Sequence, residues 1–356
     1  MILMLFKMHL ILILGGIMKK LAVILVTLVF SSTISVAGTG TDALNFLKIK
    51  PSARGASIGD GFVAVADDVN AVFYNPAGLT QVNNSEISLM HMLYMAETSY
   101  EYGAFAMPAG ENLTLGAYIV YLNYGSIDRA GEDSLGIWQA GSGSYTPNDM
   151  AIALSAGYKL GDGMSAGLTV KYATESIDTV SLSGIMADLG FLADVEGVKV
   201  GATLYNLGSA GSEKAPMGFR VGGSSKFMAL TEDDLTAAAG IDYVMASSKI
   251  SGSLGGEWKY EDFLILRGSF SVLTDAESVN LGVGLKQDLG GMVGEVAYNF
   301  SLLGDLGSAH RISVGLKFGD EDNYKGKKKK TTSANAPGKT DNSKSKSTLK
   351  YYFKKK

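Results

Sequence analysis

From Asn83 to Phe318 large apolar residues alternate with small or polar ones. Across 150–160 the even positions hold Met150, Ile152, Leu154, Ala156, Tyr158 and Leu160, while the odd ones hold Ala151, Ala153, Ser155, Gly157 and Lys159. Successive side chains of a strand point to opposite faces, so this period of two gives one greasy face and one small or polar face. Asp162-Gly163 supplies a hairpin turn, and 165–173 resumes the pattern with Ala166, Leu168, Val170 and Tyr172 on one face. The same alternation returns in 281–289 and 312–318.

The pattern predicts strands near 84–97, 99–109, 112–125, 148–161, 163–177, 181–195, 197–206, 217–229, 234–247, 249–262, 263–273, 279–289, 291–301 and 309–318. Most match or slightly exceed the ~9–11 residues with which a tilted strand crosses a bilayer. In lipid every backbone N–H needs a partner, which strands achieve only in a closed sheet. The expectation is an all-β fold, a transmembrane antiparallel β-barrel of about 14 strands. A soluble β-sandwich also alternates, but the strand number and long hairpins count against it, and small or polar residues suit a lumen better than a sandwich core. Tyr94, Tyr100, Tyr102, Tyr121, Tyr124, Phe263 and Phe318 stand near strand ends, where interfacial aromatic girdles belong.

Ahead of the strands, Met18-Lys19-Lys20, the apolar run 21–30 and Ser35-Val36-Ala37 have the order of an export signal. Residues 1–37 therefore read as a signal peptide, with Met18 as a candidate true start. Lys19 and Lys20 interrupt the apolar stretch that a membrane helix would need. After Phe318 the composition turns polar and Lys-rich, so 319–356 reads as a disordered tail on the periplasmic side. Its lysines could reach anionic headgroups or cell-wall polymer. An even strand count places both chain ends in the periplasm of an outer-membrane protein, and the longest gaps, 126–147 and 206–216, on the cell surface. Trp138 and Tyr145 are the expected contacts of the first loop.

Composition sharpens the picture by exclusion. The 356-residue chain has 45 Gly, 6 Pro and no Cys, which removes disulfides, thiolate metal sites and a cysteine nucleophile. The net charge of −4 conceals a basic N-terminus, a basic tail and a strongly acidic body. An acidic body is a poor groove for nucleic acid. Only His9, His91 and His310 are present, and the acidic runs 232–234 and 320–322 lack calcium-loop spacing. Gly161-Asp162-Gly163 lacks the spacing and the helix of a phosphate loop. No enzyme activity, metal or cofactor is expected.

One stretch fits neither signal nor strand. Residues 51–79, PSARGASIGDGFVAVADDVNAVFYNPAGL, combine small residues, the pair Asp67-Asp68 and a closing Asn75-Pro76-Ala77-Gly78-Leu79. It reads as a closely packed, kinked segment in which the two carboxylates form turns rather than a catalytic pair.

This stretch also carries a resemblance. With Tyr205-Asn206-Leu207-Gly208, Pro216 and Arg220-Val221-Gly222, and with Asp305-Leu306-Gly307 and His310-Arg311-Ile312-Ser313 before Phe318, it resembles the PorV/PorQ family of outer-membrane proteins, related to FadL-type fatty acid transporters. The resemblance covers roughly residues 42–318. It implies that 38–82 is a hatch folded inside a barrel formed by 83–318. Arg54, Asp67 and Asp68 would then make turns or lumen contacts, and Asn75, Pro76, Ala77 and Gly78 a gating hinge. Phe318 would be read by the barrel assembly machinery, although the tail beyond it departs from the family pattern.

Two functions follow from that resemblance, and the signature blocks, closer to PorV/PorQ than to fatty acid transporters, favour the first over the second as its alternative. A type IX secretion component would bind or shuttle secreted proteins at the cell surface, exposing apolar area around Ile137, Trp138 and Tyr145. A FadL-like transporter of long-chain fatty acids or other hydrophobic small molecules would show an apolar pocket beside Asn75–Leu79 and a lateral opening. A plain structural or diffusion barrel in outer-membrane lipids is the third option.

Overall fold

A computed structural model describes residues 42–319, apart from 162, 229–233, 246, 262 and 275–276. The stretches expected to be an export signal and a Lys-rich tail lie outside the described residues. The first strands are β1 (Ser85–Leu93), β2 (Ser99–Pro108), β3 (Leu113–Asn123), β4 (Ile127–Glu132), β5 (Trp138–Tyr145) and β6 (Asn148–Gly161). They are followed by β7 (Met164–Ile177), β8 (Val180–Val195), β9 (Val198–Ala210), β10 (Glu213–Lys214), β11 (Gly218–Met228) and β12 (Asp234–Val244). The last are β13 (Lys249–Tyr260), β14 (Leu264–Val272), β15 (Val279–Asp288), β16 (Met292–Leu302) and β17 (Ser308–Phe318).

Fourteen of these close into an antiparallel barrel. Consecutive wall strands pair around the ring, β8 pairs β9, and β17 returns to β1 with Ser85 opposite Phe318 and Leu93 opposite His310. The alternation read from the sequence is inside out, as a membrane wall requires. In β6, Ile152 and Leu154 are 46% and 69% exposed on the outer face while Ala151 and Ala153 are buried in the lumen. The outer face carries Leu89, Phe105, Ile119, Leu168, Val283 and Val314, all exposed.

Three expectations change. The gap 126–147 contains the hairpin β4–β5, a separate two-stranded sheet. The gap 206–216 is shorter than expected, because β9 runs on to Ala210 past a bulge. There the register slips between Ala187 and Leu189 and Asn206 takes a positive φ of 56°, its N–H turning to the Asp188 carboxylate. Tyr100 and Tyr102 are no girdle residues. They share the inward parity of Ala104 and Ala106 on β2 and are buried, whereas Tyr121 and Phe263 do stay exposed.

The barrel has two distinct rims. Ser85 and Phe318 mark one, here the tail rim; the other, the hairpin rim, carries β4–β5 and β10. Residues 42–84 pass between the rims through the lumen. Ala43 N–H donates to Lys214 O at 3.0 Å and Leu44 N–H to Glu175 Oε2 at 3.0 Å, both at the hairpin rim. Strand parity does bring the two ends of the wall to one rim. The threaded segment puts the first described residue, Asp42, at the opposite rim from Gly319.

Candidate functional site

The threaded segment folds into short helical pieces because its residues allow nothing longer. Ser52 caps the Ala53–Ile58 helix, its Oγ accepting from Gly55 N–H at 3.2 Å, and Gly59 at φ 79° ends it. Further turns cover Phe62–Val65, Ala71–Tyr74 and Pro76–Gln81. Pro76 begins the last one, where its missing N–H costs nothing, and the Asn75 side chain accepts from Ala77 N–H at 3.1 Å.

These pieces follow the inner wall as an almost complete ring. Ala53–Ile58 lies against β13 to β17, Gly59–Gly61 against β11 to β14, Phe62–Val65 against β9, β11 and β12, and Pro76–Gln81 against β3, β6, β7 and β8. The close approach is possible because the wall presents glycines there. Gly240 pairs Gly222, which pairs Gly201; Gly190 pairs Gly167, which pairs Gly157. A Cβ added at Gly240, Gly222, Gly201, Gly190, Gly167 or Gly157 would fall within 3.0 Å of a hatch atom. The residues 51–82 are thus a hatch that fills the waist of the barrel.

Asn75, Pro76, Ala77 and Gly78 come together in this ring. Asn75 Nδ2 donates to Val63 O at 2.8 Å and to Phe191 O at 3.0 Å, so one side chain ties two parts of the hatch to β8. All four are buried.

On the tail-rim side of the hatch the lumen is charged. Arg54 Nη1 donates to Asp67 Oδ1 and Asp68 Oδ2, each at 2.7 Å, and Arg54 Nε to Glu257 Oε2 at 2.8 Å. The three residues expected to make turns or lumen contacts therefore form one cluster with a wall carboxylate. Burial alone would push the Asp67 carboxyl up, but the Arg54 guanidinium beside it dominates and holds it down to about 2. Arg267 extends the network from Glu257 to Glu295, at 2.7 Å to each. Lys317 meets Glu86 at 2.8 Å, and Glu86 also accepts from Val69 N–H.

On the hairpin-rim side the lumen divides. Toward β9–β17 it is polar: Lys50 pairs Asp60 at 2.8 Å, Arg220 pairs Asp242 at 2.8 Å, and the buried Arg311 donates to Lys50 O and Asn299 Oδ1. Burial works against the charge on Lys50, yet the Asp60 carboxylate raises its pKa. Toward β1–β8 it is mainly apolar, with the buried pair Lys171–Asp188 on β7 and β8 as an exception. Met90, Met92, Tyr100, Tyr102, Tyr118, Val120 and Leu122 join Ala151, Ala153, Ala173 and Met186 in one buried cluster. The chain itself fills that space with Leu44, Phe46 and Leu47, and the cluster continues down to Val72 and Leu79 of the hatch. The apolar region expected beside Asn75–Leu79 exists, but it is occupied rather than open.

The remaining sequence candidates are spread out. His91 bonds Glu101 at 2.7 Å and His310 bonds Tyr298 at 2.7 Å, both on the outer wall near the hairpin rim and outside the lumen. Trp138 begins β5, and its side chain lies outside the described residues. Tyr145 ends β5 under the Arg129 guanidinium, 5.5 Å from the ring. At the hairpin turn Leu135 and Ile137 are 81% and 56% exposed. Phe318 ends β17 opposite Met292 and Ser85. Among the described residues no cluster of three or more His, Asp or Glu is placed to hold a metal ion.

Sequence reasoning missed Lys50, Asp60, Tyr118, Glu257, Arg267 and Arg311. A signal was present: Lys171, Arg220, Glu257, Arg267 and Arg311 all occupy the small-residue parity of their strands, so their charges point into the lumen, where they need partners once it is filled.

No family model and no curated protein matches the chain. Among solved structures, the fold resembles the CymD monoaromatic hydrocarbon channel at TM-score 0.51 and 15% identity, over 78% of this chain and 100% of CymD. The toluene transporter TbuX of Ralstonia pickettii gives TM-score 0.47 and 15% identity, over 70% of this chain and 94% of TbuX. The toluene transporter TodX of Pseudomonas putida gives 0.49 and 12%, over 69% and 92%. At these identities the likeness concerns the fold: a 14-stranded barrel with an N-terminal segment inside. Membership of the PorV/PorQ family is not among these findings.

Proposed function

We propose that the chain is a bacterial outer-membrane channel for hydrophobic small molecules, with the hairpin rim at the cell surface and the tail rim in the periplasm. The observation that carries this reading is the apolar half of the upper lumen, filled by Leu44, Phe46 and Leu47 of the threaded segment. A general diffusion pore is lined by polar groups and water. Here an apolar compartment below the hairpin rim is filled by side chains that a ligand of similar character could replace. The hatch blocks the waist, so passage requires Asn75–Gly78 or the Arg54 cluster to yield. Solved barrels of similar fold include a monoaromatic hydrocarbon channel and toluene transporters, which agrees with this reading.

The test is uptake by intact cells whose lipopolysaccharide surface slows hydrophobic solutes. Cells that express the chain and lack other hydrocarbon channels should accumulate toluene faster than empty-vector cells. Equal rates, with the barrel present in the outer membrane, would sink the reading.

A second reading, the secretion shuttle, is favoured by one observation, the exposed Leu135 and Ile137 at the hairpin tip. Exposed apolar side chains at a loop tip suit protein docking. Recovery of exported proteins sharing a terminal domain with the tagged barrel, and its loss when 133–137 are replaced by Gly and Ser, would support it over the channel.

A further inference from the structure

Four tyrosine hydroxyls in and around the lumen have partners. Tyr74 donates to Pro51 O at 2.6 Å, Tyr100 to Ile49 O at 3.4 Å, Tyr124 to Asp149 Oδ2 at 2.7 Å and Tyr205 to Asp242 Oδ1 at 2.6 Å. The hydroxyls of Tyr102 and Tyr118 are buried and have no hydrogen-bond partner among the described residues. Their rings lie 6.2 Å apart on neighbouring strands, Tyr102 opposite Val120 and Tyr118 opposite Ala104. Both belong to the apolar cluster that the threaded segment fills.

An unpaired buried hydroxyl costs stability, and phenylalanine would pack as well without that cost. Two such groups side by side in a ligand compartment have the character of a station waiting for a polar atom. Resting on the channel reading, we propose that Tyr102 and Tyr118 hydrogen-bond an uncharged hydrophobic ligand that carries one acceptor oxygen, such as an aryl ketone.

The surroundings set the ligand class. Met90, Met92, Val120, Leu122 and Ala153 favour an apolar body. A carboxylate would need a cation, and the buried Lys171 and Arg311 of the lumen are committed: Lys171 to Asp188 at 2.7 Å, and Arg311 to Glu277. A plain hydrocarbon would fill the space but leave both hydroxyls unpaired. An acceptor oxygen satisfies at least one of them. The hairpin-rim cleft is lined by Leu47 and Phe73 together with the charged Lys171, Arg220 and Asp242, and it adjoins the pair only through Phe73, which packs edge-on against Tyr118 with ring centroids 5.6 Å apart.

The test compares acetophenone with isopropylbenzene, which have nearly the same shape but differ in the acceptor oxygen. Uptake of each by intact cells is measured for the wild-type chain, Tyr102→Phe, Tyr118→Phe and the double variant, with heat-modifiable migration confirming the fold. Wild type should prefer acetophenone over isopropylbenzene, relative to vector cells. The double variant should lose about tenfold of that preference, read as the ratio of the two uptake rates. Equal uptake of both probes, or a preference that survives in the double variant, overturns the station and leaves the channel standing. Failure of both probes to exceed the vector rate removes the channel reading and the station with it.

Discussion

Arg54 and Glu257 are 203 residues apart in the chain, yet they meet in a two-point pair, Nε to Oε2 at 2.8 Å and Nη2 to Oε1 at 3.1 Å. One residue belongs to the hatch and the other to β13, so the pair is a tie between plug and wall. Glu257 also holds Arg267, which leaves the carboxylate fully used.

Glu257→Gln keeps the shape and removes the charge. Arg54 keeps Asp67 and Asp68, and Arg267 keeps Glu295, so what is lost is one charge-assisted tie to the wall, and hatch docking should weaken by about 1.5–3 kcal/mol while the wall closes as before. Planar-bilayer recordings should show larger and more frequent conductance steps than wild type. A record indistinguishable from that of wild type would count against the tie.

Acid should loosen the same contact. The Asp67 carboxyl is held down to about 2 from an ordinary 3.8. Because the folded value lies below the unfolded one, its contribution is fully present above about pH 4 and is lost as pH falls through about 2. Conductance should therefore rise between about pH 4 and pH 2, and Asp67→Asn should flatten that dependence.

The glycine belt gives a packing test with an internal control. Gly201→Val or Gly167→Val places a branched side chain where the hatch backbone already sits. Overpacking of this kind costs about 1–3 kcal/mol and should dislodge the hatch, seen as protease access to 51–82 in the folded barrel. Gly103→Ala, whose Cβ would meet Ile119 and Leu89 at an ordinary 3.4 Å, should leave protease resistance unchanged.

The upper plug can be shortened in place. Phe46→Ala removes a buried aromatic from the apolar compartment, at about 3–5 kcal/mol of local packing. Toluene uptake should rise, since less of the chain has to be displaced. A fall in uptake with normal barrel assembly would mean that Phe46 belongs to the binding surface rather than to a plug.

Asn75 and Pro76 separate packing from gating. Asn75→Ala breaks the bonds to Val63 O and Phe191 O and should cost about 1–3 kcal/mol of hatch stability. Pro76→Ala keeps those bonds. If Pro76→Ala alters uptake while heat-modifiable migration is retained, the bend has a gating role; if neither changes, only the packing role survives.

The sequence by itself determined the wall. A period of two is a local property, so Ile152 and Leu154 facing out and Ala151 and Ala153 facing in could be read directly, as could the strand positions and the turns between them. The hatch was legible as a segment unlike a strand, with Arg54, Asp67 and Asp68 marked as its turn or lumen contacts. Tertiary structure alone decided what those residues meet. The pairing of Arg54 with Glu257, the seating of Asn75 against β8, the inward turn of Tyr100 and Tyr102 near a strand end, and the arrival of Leu44 and Phe46 at the hairpin rim depend on the path of one segment through a closed ring. Closure brings residues hundreds of positions apart into contact, and no local period encodes which of them will touch.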